Sequence, residues 1–229
     1  MEETQTSAPA PAPQALIPPT VSGTFGHGWE TLKKYFPELL LLLFIIILFS
    51  LPMGLVDAFV DKESFGHVFF SIFNVFYGLI IMAPLTYGAD LLCLKAVRGE
   101  KFNVNEVFFA YRRTLQIILA NILVGVVVGF GIVLLIVPGI IFACKLSMVP
   151  YLMMDKDMEA VDAVRASWQM TKGYSGRIFL MGLLSFFIIL GGILLLIVGI
   201  FPAIIWINLA FAAMYQAITK DEGRGTKAE

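Results

Sequence analysis

Between Phe36 and Thr219 the sequence contains long apolar stretches that carry almost no charge. A helix needs about 20 consecutive apolar residues to cross the roughly 30 Å hydrocarbon core of a bilayer, and these stretches reach that length. A surface that faces lipid also explains a composition of 59% hydrophobic and only 14% charged residues, since soluble domains average about 45–50% apolar and about 25% charged residues. The sequence therefore predicts an all-α, polytopic membrane protein.

Six spans are predicted, because the runs 115–154 and 178–219 are each too long for one crossing and each is interrupted by glycine and proline. We expect the interrupting residues, Pro138, Gly139, Gly199 and Pro202, at the turns of two hairpins. The fourth span contains Pro150, so it is expected to tilt, break or cross only in part. The predicted spans are 36–56, 68–92, 115–137, 139–154, 178–198 and 202–219.

Lysine and arginine are unevenly placed along the chain. Fourteen of the sixteen lie before the first predicted span, in every second connection, or after the last span. Lys62 lies in an acidic loop on the opposite side, and Lys145 lies inside the fourth span. Because cytoplasmic loops retain positive charge, the pattern predicts a cytoplasmic N-terminus and C-terminus. The Ala/Pro-rich segment 1–22, which lacks the features of a signal peptide, is predicted to be a disordered cytoplasmic tail, and 220–229 a second tail.

Each predicted hairpin follows an amphipathic segment, at 23–36, 103–114 and 157–172, which gives three helix-plus-hairpin units. Asn103 and Glu106 have the spacing of a helix N-cap pair. In the third segment the predicted apolar stripe contains Met158, Val161, Val164 and Trp168. We expect these helices to lie at the cytoplasmic interface or to cover one another in a small cytoplasmic layer. The predicted interface residues are Trp29, Arg112, Arg113, Trp168 and Lys172.

The three units are predicted to be internal repeats in parallel orientation. Residues 131–140, GIVLLIVPGI, are similar to residues 192–200, GILLLIVGI. In addition, Trp29-x5-Tyr35 is similar to Trp168-x5-Tyr174, and each pair immediately precedes a predicted span.

Three motifs in the second half of the chain carry a resemblance to a known family. They are VPGII from Val137, SMVPYLMMD from Ser147, and the spacing Asp155-x4-Ala160-x2-Ala163-x3-Ser167-x3-Thr171-x-Gly173. From about Trp29 to Thr219 the chain resembles poorly characterised bacterial integral membrane proteins related to DUF975 and to the membrane domain fused to some glycerophosphodiester phosphodiesterases. The resemblance implies six helices and a bacterial cytoplasmic (inner) membrane. It implies no established activity and no catalytic residue.

Signatures of catalysis are missing from the sequence. It contains no G-x-S-x-G, Walker loop, HExxH or CxxC motif, and its two histidines fall on opposite sides of the membrane in the predicted topology. The net charge of −1 gives no reason to expect nucleic acid. We therefore predict no catalytic residue, cofactor or metal ligand, and expect membrane lipids and a partner membrane protein as the partners.

Two ionisable side chains inside predicted spans, Lys145 and Asp90, are candidates for a polar site. Lys145 either faces the bundle, as a site for an anionic headgroup or an ion pair, or extends its ammonium group to the interface. Asp90 is a possible partner for Lys145, and it could equally pair with Lys95. The candidate intramembrane polar site contains Lys145, Asp90, Asn121 and Asn208.

Small residues on two spans predict close helix packing, which drives association in lipid. They are Gly125, Gly129, Gly131, Ala210, Ala213 and Ala217. Packing within one chain is favoured over dimerisation.

Together these features favour a non-enzymatic scaffold or accessory subunit that engages lipid or a partner protein at the cytoplasmic face. The alternative is a small transporter or channel with a polar intramembrane site around Lys145. A membrane enzyme of lipid metabolism is the least favoured function, because no nucleophile and base can be identified.

Overall fold

The computed structural model describes residues 17–59, 65–194 and 199–225, and the regular elements of these ranges are all helices. The α-helices are α1 (Val21–Lys34), α2 (Phe36–Phe59), α3 (Phe65–Tyr77), α4 (Ala83–Arg98), α5 (Thr114–Leu134), α6 (Ile136–Leu146), α7 (Val149–Asp155), α8 (Ala160–Met170), α9 (Ser175–Leu194) and α10 (Ile200–Gly225). A π-helical segment, Gly78–Met82, joins α3 to α4, and a 3₁₀ helix, Val104–Arg113, precedes α5.

Six stretches are long and apolar enough to cross a membrane, which confirms the predicted all-α polytopic fold. They are Phe36–Gly54, Val68–Arg98, Val104–Leu134, Val137–Asp155, Ser175–Leu194 and Ile200–Asp221. The last residues of the predicted fifth span, 195–198, lie outside the described residues.

The two predicted tails differ in part from the structure. Residues 1–16 lie outside the described residues, but Ile17 is buried and α1 begins at Val21, where the Thr20 side chain caps it by accepting a hydrogen bond from the Gly23 N–H at 3.3 Å. At the other end, α10 continues through the start of the predicted tail as far as Gly225.

The second span changes its helical form because of Pro84. Proline cannot donate to the preceding turn, and its ring crowds the carbonyl group four residues earlier. The helix widens into the π segment immediately before this point, where the Ala83 N–H bonds to the Gly78 oxygen. The Tyr111 hydroxyl, from the 3₁₀ helix, donates to the Ile81 carbonyl oxygen at 2.7 Å. A side chain of a neighbouring element thus satisfies a carbonyl of the distorted helix.

The fourth span breaks, as the sequence predicted. Helix α6 ends at Leu146, a turn follows at Ser147–Met148, and α7 begins at Val149. Pro150 lies in the first turn of α7, where a missing N–H is tolerated. It offers no N–H to the Leu146 carbonyl, so one continuous helix would lose a hydrogen bond here.

The predicted position of the hairpin turns is wrong by a few residues. The α5–α6 turn is formed by Leu135, which is extended (φ −164°, ψ 143°), and Pro138 and Gly139 lie inside the first turn of α6. Pro202 likewise lies inside the first turn of α10, although Gly199 does lie at a turn. The physical reason is that the first N–H groups of a helix have no partner within the helix, so proline is tolerated there and the turn forms before it.

Helix α1 packs against α10 instead of lying free at the membrane surface. Phe25 and Leu32 of α1 are buried, and the Trp206 indole N–H of α10 donates to the Phe25 carbonyl oxygen at 2.8 Å. A Cβ on Gly28 would lie 3.1 Å from the backbone nitrogen of Ala210, so glycine permits this close approach. The Nε2 atom of His27 lies 3.0 Å from the Val97 carbonyl oxygen, within hydrogen-bond distance, which ties α1 to the end of α4.

Helix α8 turns a different face inward from the one predicted. Its buried residues are Ala160, Ala163, Ser167 and Met170, whereas Val161 of the predicted stripe is 45% exposed. The other predicted members are only partly buried. Small side chains let α8 approach its neighbours closely, and the larger apolar side chains are left toward the outside, where a membrane can accommodate them.

Candidate functional site

The ends of several helices are tied together at one end of the bundle, which we call the basic end. It contains residues 29–36, 95–113, 151–160, 168–177 and 215–225. At its centre, the Arg98 guanidinium group donates to both carboxylate oxygens of Asp155, at 2.5 and 2.7 Å. The Tyr215 hydroxyl donates to the same carboxylate at 2.9 Å, and the Tyr215 ring stacks on Tyr151 at 5.3 Å. This network joins α4, α7 and α10.

Two further pairs at the basic end also connect elements. Lys95 of α4 pairs with Glu106 of the 3₁₀ helix, which contradicts the suggestion that Lys95 pairs with Asp90. Glu106 also accepts from the Asn103 backbone N–H at 3.1 Å, so the predicted N-cap pair is confirmed, although the helix it begins is 3₁₀. Arg113 donates to the carbonyl oxygens of Met153 and Met158, at 2.9 and 3.0 Å.

The predicted interface residues thus differ in their roles, and Trp168 contacts the Lys145 ammonium group. Arg113 is a connecting residue that holds the end of α7 and the following loop. Arg112 and Lys172 are exposed at the basic end. Trp29 is 42% exposed and contacts the Trp206 ring at a centroid distance of 5.1 Å.

Five lysine or arginine side chains lie over aromatic rings in the described structure. The pairs are Lys33 with Trp29, Lys34 with Tyr35, Arg112 with Phe109, Lys145 with Trp168, and Arg177 with Tyr174, at 4.2–5.5 Å from charge to ring centroid. Each ring belongs to α1, to the 3₁₀ helix, to α8 or to the residues that follow them. Paired cations and aromatic rings are suited to the headgroup region, where one part of each pair contacts apolar surface and the other contacts water or phosphate.

Lys145 is held by α8 and not by Asp90. Its ammonium group lies 4.2 Å from the centroid of the Trp168 ring. Its backbone carbonyl, at the break between α6 and α7, accepts from the Ser167 hydroxyl at 2.7 Å and the Thr171 hydroxyl at 3.2 Å. These contacts favour the interpretation that Lys145 extends toward the headgroup region.

The same contacts give a structural meaning to the motif in the second half of the chain. Its aspartate, Asp155, is the carboxylate bound by Arg98, and its alanines and hydroxyl residues form the buried face of α8. Its last residue, Gly173, has φ +83°, a conformation that glycine adopts without strain. The spacing therefore encodes how α8 packs against the broken fourth span.

The four residues of the predicted polar site do not form one site. Asp90 and Asn208 both line a cavity of about 160 Å³ between α2, α4 and α10. Asn121 instead donates to the Ile117 carbonyl oxygen of its own helix at 2.9 Å, and Lys145 contacts α8. Within the described residues, no three His, Cys, Asp or Glu side chains come together in a way that could hold a metal ion.

Only some of the small residues predicted to pack closely do so in the structure. A Cβ on Gly131 would lie 2.9 Å from the Gly139 Cα, so α5 and α6 approach closely at this pair. Ala210, Ala213 and Ala217 are buried. Gly125 and Gly129, however, have no atom within 4 Å of a Cβ position, so the prediction that they pack within the chain is wrong. Both lie on the outer side of α5, away from the neighbours that bury Ile117 and Ala120.

Sequence patterns did not reveal the Arg98–Asp155–Tyr215 network. A signal was available, because the predicted topology places the ends of the second, fourth and sixth spans at the same side, and each of these ends carries one of the three residues. What the topology does not give is which charged residue faces which, since that depends on the rotation of each helix about its own axis.

The fold and the basic end define the chain as a multi-pass α-helical membrane protein. No family model, curated protein or solved structure matches it. Its resemblance to the DUF975-related membrane proteins therefore stays a prediction.

Proposed function

We propose that this protein is a non-enzymatic scaffold or accessory subunit of the bacterial cytoplasmic membrane, which binds anionic lipid headgroups through its basic end. Both termini lie in the cytoplasm in this proposal, so the basic end contacts the cytoplasmic leaflet. The observation that carries the proposal is the set of five cation–aromatic pairs around that end.

The charged residues of the basic end support this proposal because they form two sets. One set is paired and connects helices, and the other set is exposed. The acidic residues Asp155 and Glu106 are engaged by Arg98 and Lys95, and they connect helices. Among the described side chains of this end, seven basic ones are exposed: Lys33, Lys34, Lys101, Arg112, Lys156, Lys172 and Arg177. Five acidic ones are exposed beside them: Glu30, Glu100, Asp157, Glu159 and Asp221. A basic residue near an anionic membrane surface contributes about 1 kcal/mol of attraction, so the exposed set can enrich anionic lipid around the protein.

The rigid construction of the basic end also suits a scaffold. Polar side chains bond across four elements there, and the core residues of α4, α7 and α10 are buried together. A partner protein would therefore meet helix ends that are held in fixed relative positions, which lowers the entropic cost of association.

The test is native mass spectrometry of the full chain, released from nanodiscs that contain equal amounts of anionic phosphatidylglycerol and zwitterionic phosphatidylcholine. We expect enrichment of phosphatidylglycerol on the protein, and a lower enrichment for the variant Lys33→Gln/Lys101→Gln/Arg112→Gln. The matched control is Glu30→Gln, which changes an exposed charge of the opposite sign on α1 and should not lower it.

Equal retention of both lipids by the unmodified protein would refute lipid binding by the basic end. In a second arm, the protein is extracted gently from its host membrane. A second protein in a fixed ratio would identify an accessory subunit and its partner, whereas a lone chain that carries phosphatidylglycerol would restrict the function to lipid binding.

The transporter alternative has one specific observation in its favour, the cavity lined by Asp90 and Asn208. Lys145, around which that alternative was built, has its ammonium group over Trp168 and does not line this cavity. If the protein transports a solute, the cavity is therefore the place to look for its binding site.

A further inference from the structure

The cavity between α2, α4 and α10 combines a charged group with apolar walls. Its volume is about 160 Å³, and Leu43, Ile46 and Ile205 are among its apolar lining residues. Asp90 and Asn208 line it as well. Asp90 lies eight residues before Arg98 on the same helix, or about 12 Å along the helix axis. The carboxyl group is therefore well inside the span from the basic end.

The polar groups of this cavity have unused bonding capacity. No hydrogen bond or ion pair joins Asp90 or Asn208 to another side chain or carbonyl group among residues 17–59, 65–194 and 199–225. The two lysines expected as partners are engaged elsewhere, Lys95 with Glu106 and Lys145 with Trp168. A polar or charged group in an apolar environment is costly unless it is bonded, so these two side chains point to a ligand that bonds them.

The chemistry of the lining restricts what this ligand can be. A carboxylate disfavours an anion. Calcium requires six to eight oxygen ligands, and magnesium keeps several bound waters, whereas the side chains here supply only the oxygens of Asp90, Asn208 and Thr86 and the other lining side chains offer no oxygen to hold such waters. A purely apolar ligand would leave the carboxylate and the amide without partners. An ammonium group has three N–H donors and no acceptor, which suits carboxylate and amide oxygens.

We propose that this cavity binds a small hydrophobic monocation of the primary alkylamine class. The ammonium group donates to the Asp90 carboxylate and the Asn208 amide oxygen, and the alkyl chain lies against Leu43, Ile46 and Ile205. The site is separate from the lipid-binding surface proposed above, and it does not depend on it.

The size of the cavity sets the size of the ligand. An apolar cavity of about 150 Å³ accommodates benzene, which has six non-hydrogen atoms. The cavity of about 160 Å³ therefore suits a ligand of about six to eight non-hydrogen atoms, such as n-hexylamine. Thr86 lines the cavity and is also exposed, so we expect such an amphiphile to enter beside it.

The experiment uses the full chain in nanodiscs and titrates n-hexylamine and its neutral counterpart n-hexanol, with empty nanodiscs as the blank for partitioning into lipid. Binding is followed by saturation-transfer NMR. We expect n-hexylamine to bind at least tenfold more tightly than n-hexanol. Asp90→Asn should weaken n-hexylamine at least tenfold and leave n-hexanol unchanged, and Asn208→Leu should weaken n-hexylamine by a smaller factor.

The matched control is Asp162→Asn, which removes an exposed carboxylate from α8 and should leave both affinities unchanged. Asp90→Asn removes a charge from an apolar environment, so a folding defect is not expected of it. Three results would each overturn the proposal: equal binding of the amine and the alcohol, no binding of either, or an equal loss of amine binding in Asp162→Asn and Asp90→Asn.

Discussion

The Arg98–Asp155 pair offers the sharpest test of how the basic end is held together. The side chains of Arg98 and Asp155 are only 20% and 13% exposed, and the pair is bidentate. Asp155→Asn keeps the shape of the side chain but leaves the Arg98 guanidinium group without its counter-ion. Removal of one partner of a buried pair costs about 3–5 kcal/mol, and we take about 3 kcal/mol because these groups are not fully buried.

A nearby pair supplies the matched control. Arg113 also pairs with an aspartate, Asp157, at 2.7 Å, but the Asp157 side chain is 88% exposed. Asp157→Asn removes the same charge, and asparagine tolerates the positive φ of 55° at this position. An exposed pair contributes about 0–1 kcal/mol, so this variant should be close to the unmodified protein.

The assay is thermal unfolding in detergent, followed by the fluorescence of the three tryptophans. On the scale of a soluble domain of about 150–250 residues, 1 kcal/mol lowers the Tm by about 2–4 °C. Asp155→Asn should therefore lower the Tm by about 6–12 °C, and Asp157→Asn by about 4 °C at most. The triple variant Arg98→Met/Asp155→Leu/Tyr215→Phe, which removes all the polar groups together, should recover much of the loss.

Two results would refute this reasoning. Equal Tm shifts for Asp155→Asn and Asp157→Asn would mean that burial does not decide the contribution of the pair. A triple variant at least as unstable as Asp155→Asn would mean that the loss does not come from an uncompensated buried charge.

Of three further predictions, the first two use the same Tm measurement and the third uses growth and solute flux. Gly88→Ala would place a Cβ 2.1 Å from the Val107 carbonyl oxygen, and should lower the free energy of unfolding by at least about 3 kcal/mol. Gly125→Ala has open space around it, and should raise the free energy of unfolding by up to about 1 kcal/mol. Similar Tm values for the two variants would contradict the described packing. Ser167→Ala removes a buried hydroxyl that donates to the Lys145 carbonyl oxygen at 2.7 Å, and should lower the free energy of unfolding by about 1 kcal/mol. An unchanged Tm would show that this hydrogen bond makes no net contribution to stability. Lys145→Met loses a cation–aromatic contact of about 0.5–1 kcal/mol, and should leave growth and any solute flux unchanged. Loss of a solute flux in this variant would instead support a transporter with a polar site around Lys145.

The six spans could be predicted from the sequence because hydrophobic length is a local property. The misplaced hairpin turns show where local patterns stop being sufficient. Pro138 predicts a turn at its own position, yet a proline is equally compatible with the first turn of the helix that follows. Which of the two occurs depends on how the returning helix meets its neighbour, here through the contact of Gly139 with the backbone of Ile132.

The inward face of α8 was missed for a related physical reason. Hydrophobic periodicity assumes that larger apolar side chains face the protein. At a membrane interface the outside is also apolar, so Val161 can be exposed while Ala163 and Ser167 form the close contact. Small size, not hydrophobicity, identifies the packed face in such a setting.

Of the candidate polar site, the sequence identified the residues but not their grouping. Asp90 and Asn208 are candidates because polar groups are rare at membrane depth, and they do line one cavity. The depth of Lys145 in the sequence pattern groups it with them, whereas its contact with Trp168 depends on where α8 lies. Pairing across helices is a tertiary property, and a single sequence contains little information about it.

The central position of α10 has a consequence for the order in which the molecule can be made. Every residue from Ala212 to Ile218 is buried, and α10 contributes the partners of Phe25 and Gly28 on α1. A ribosome synthesises α1 first and α10 last. The inner face of α1 therefore has no partner until α10 has been synthesised. We expect these two helices to dock late in the assembly of the bundle.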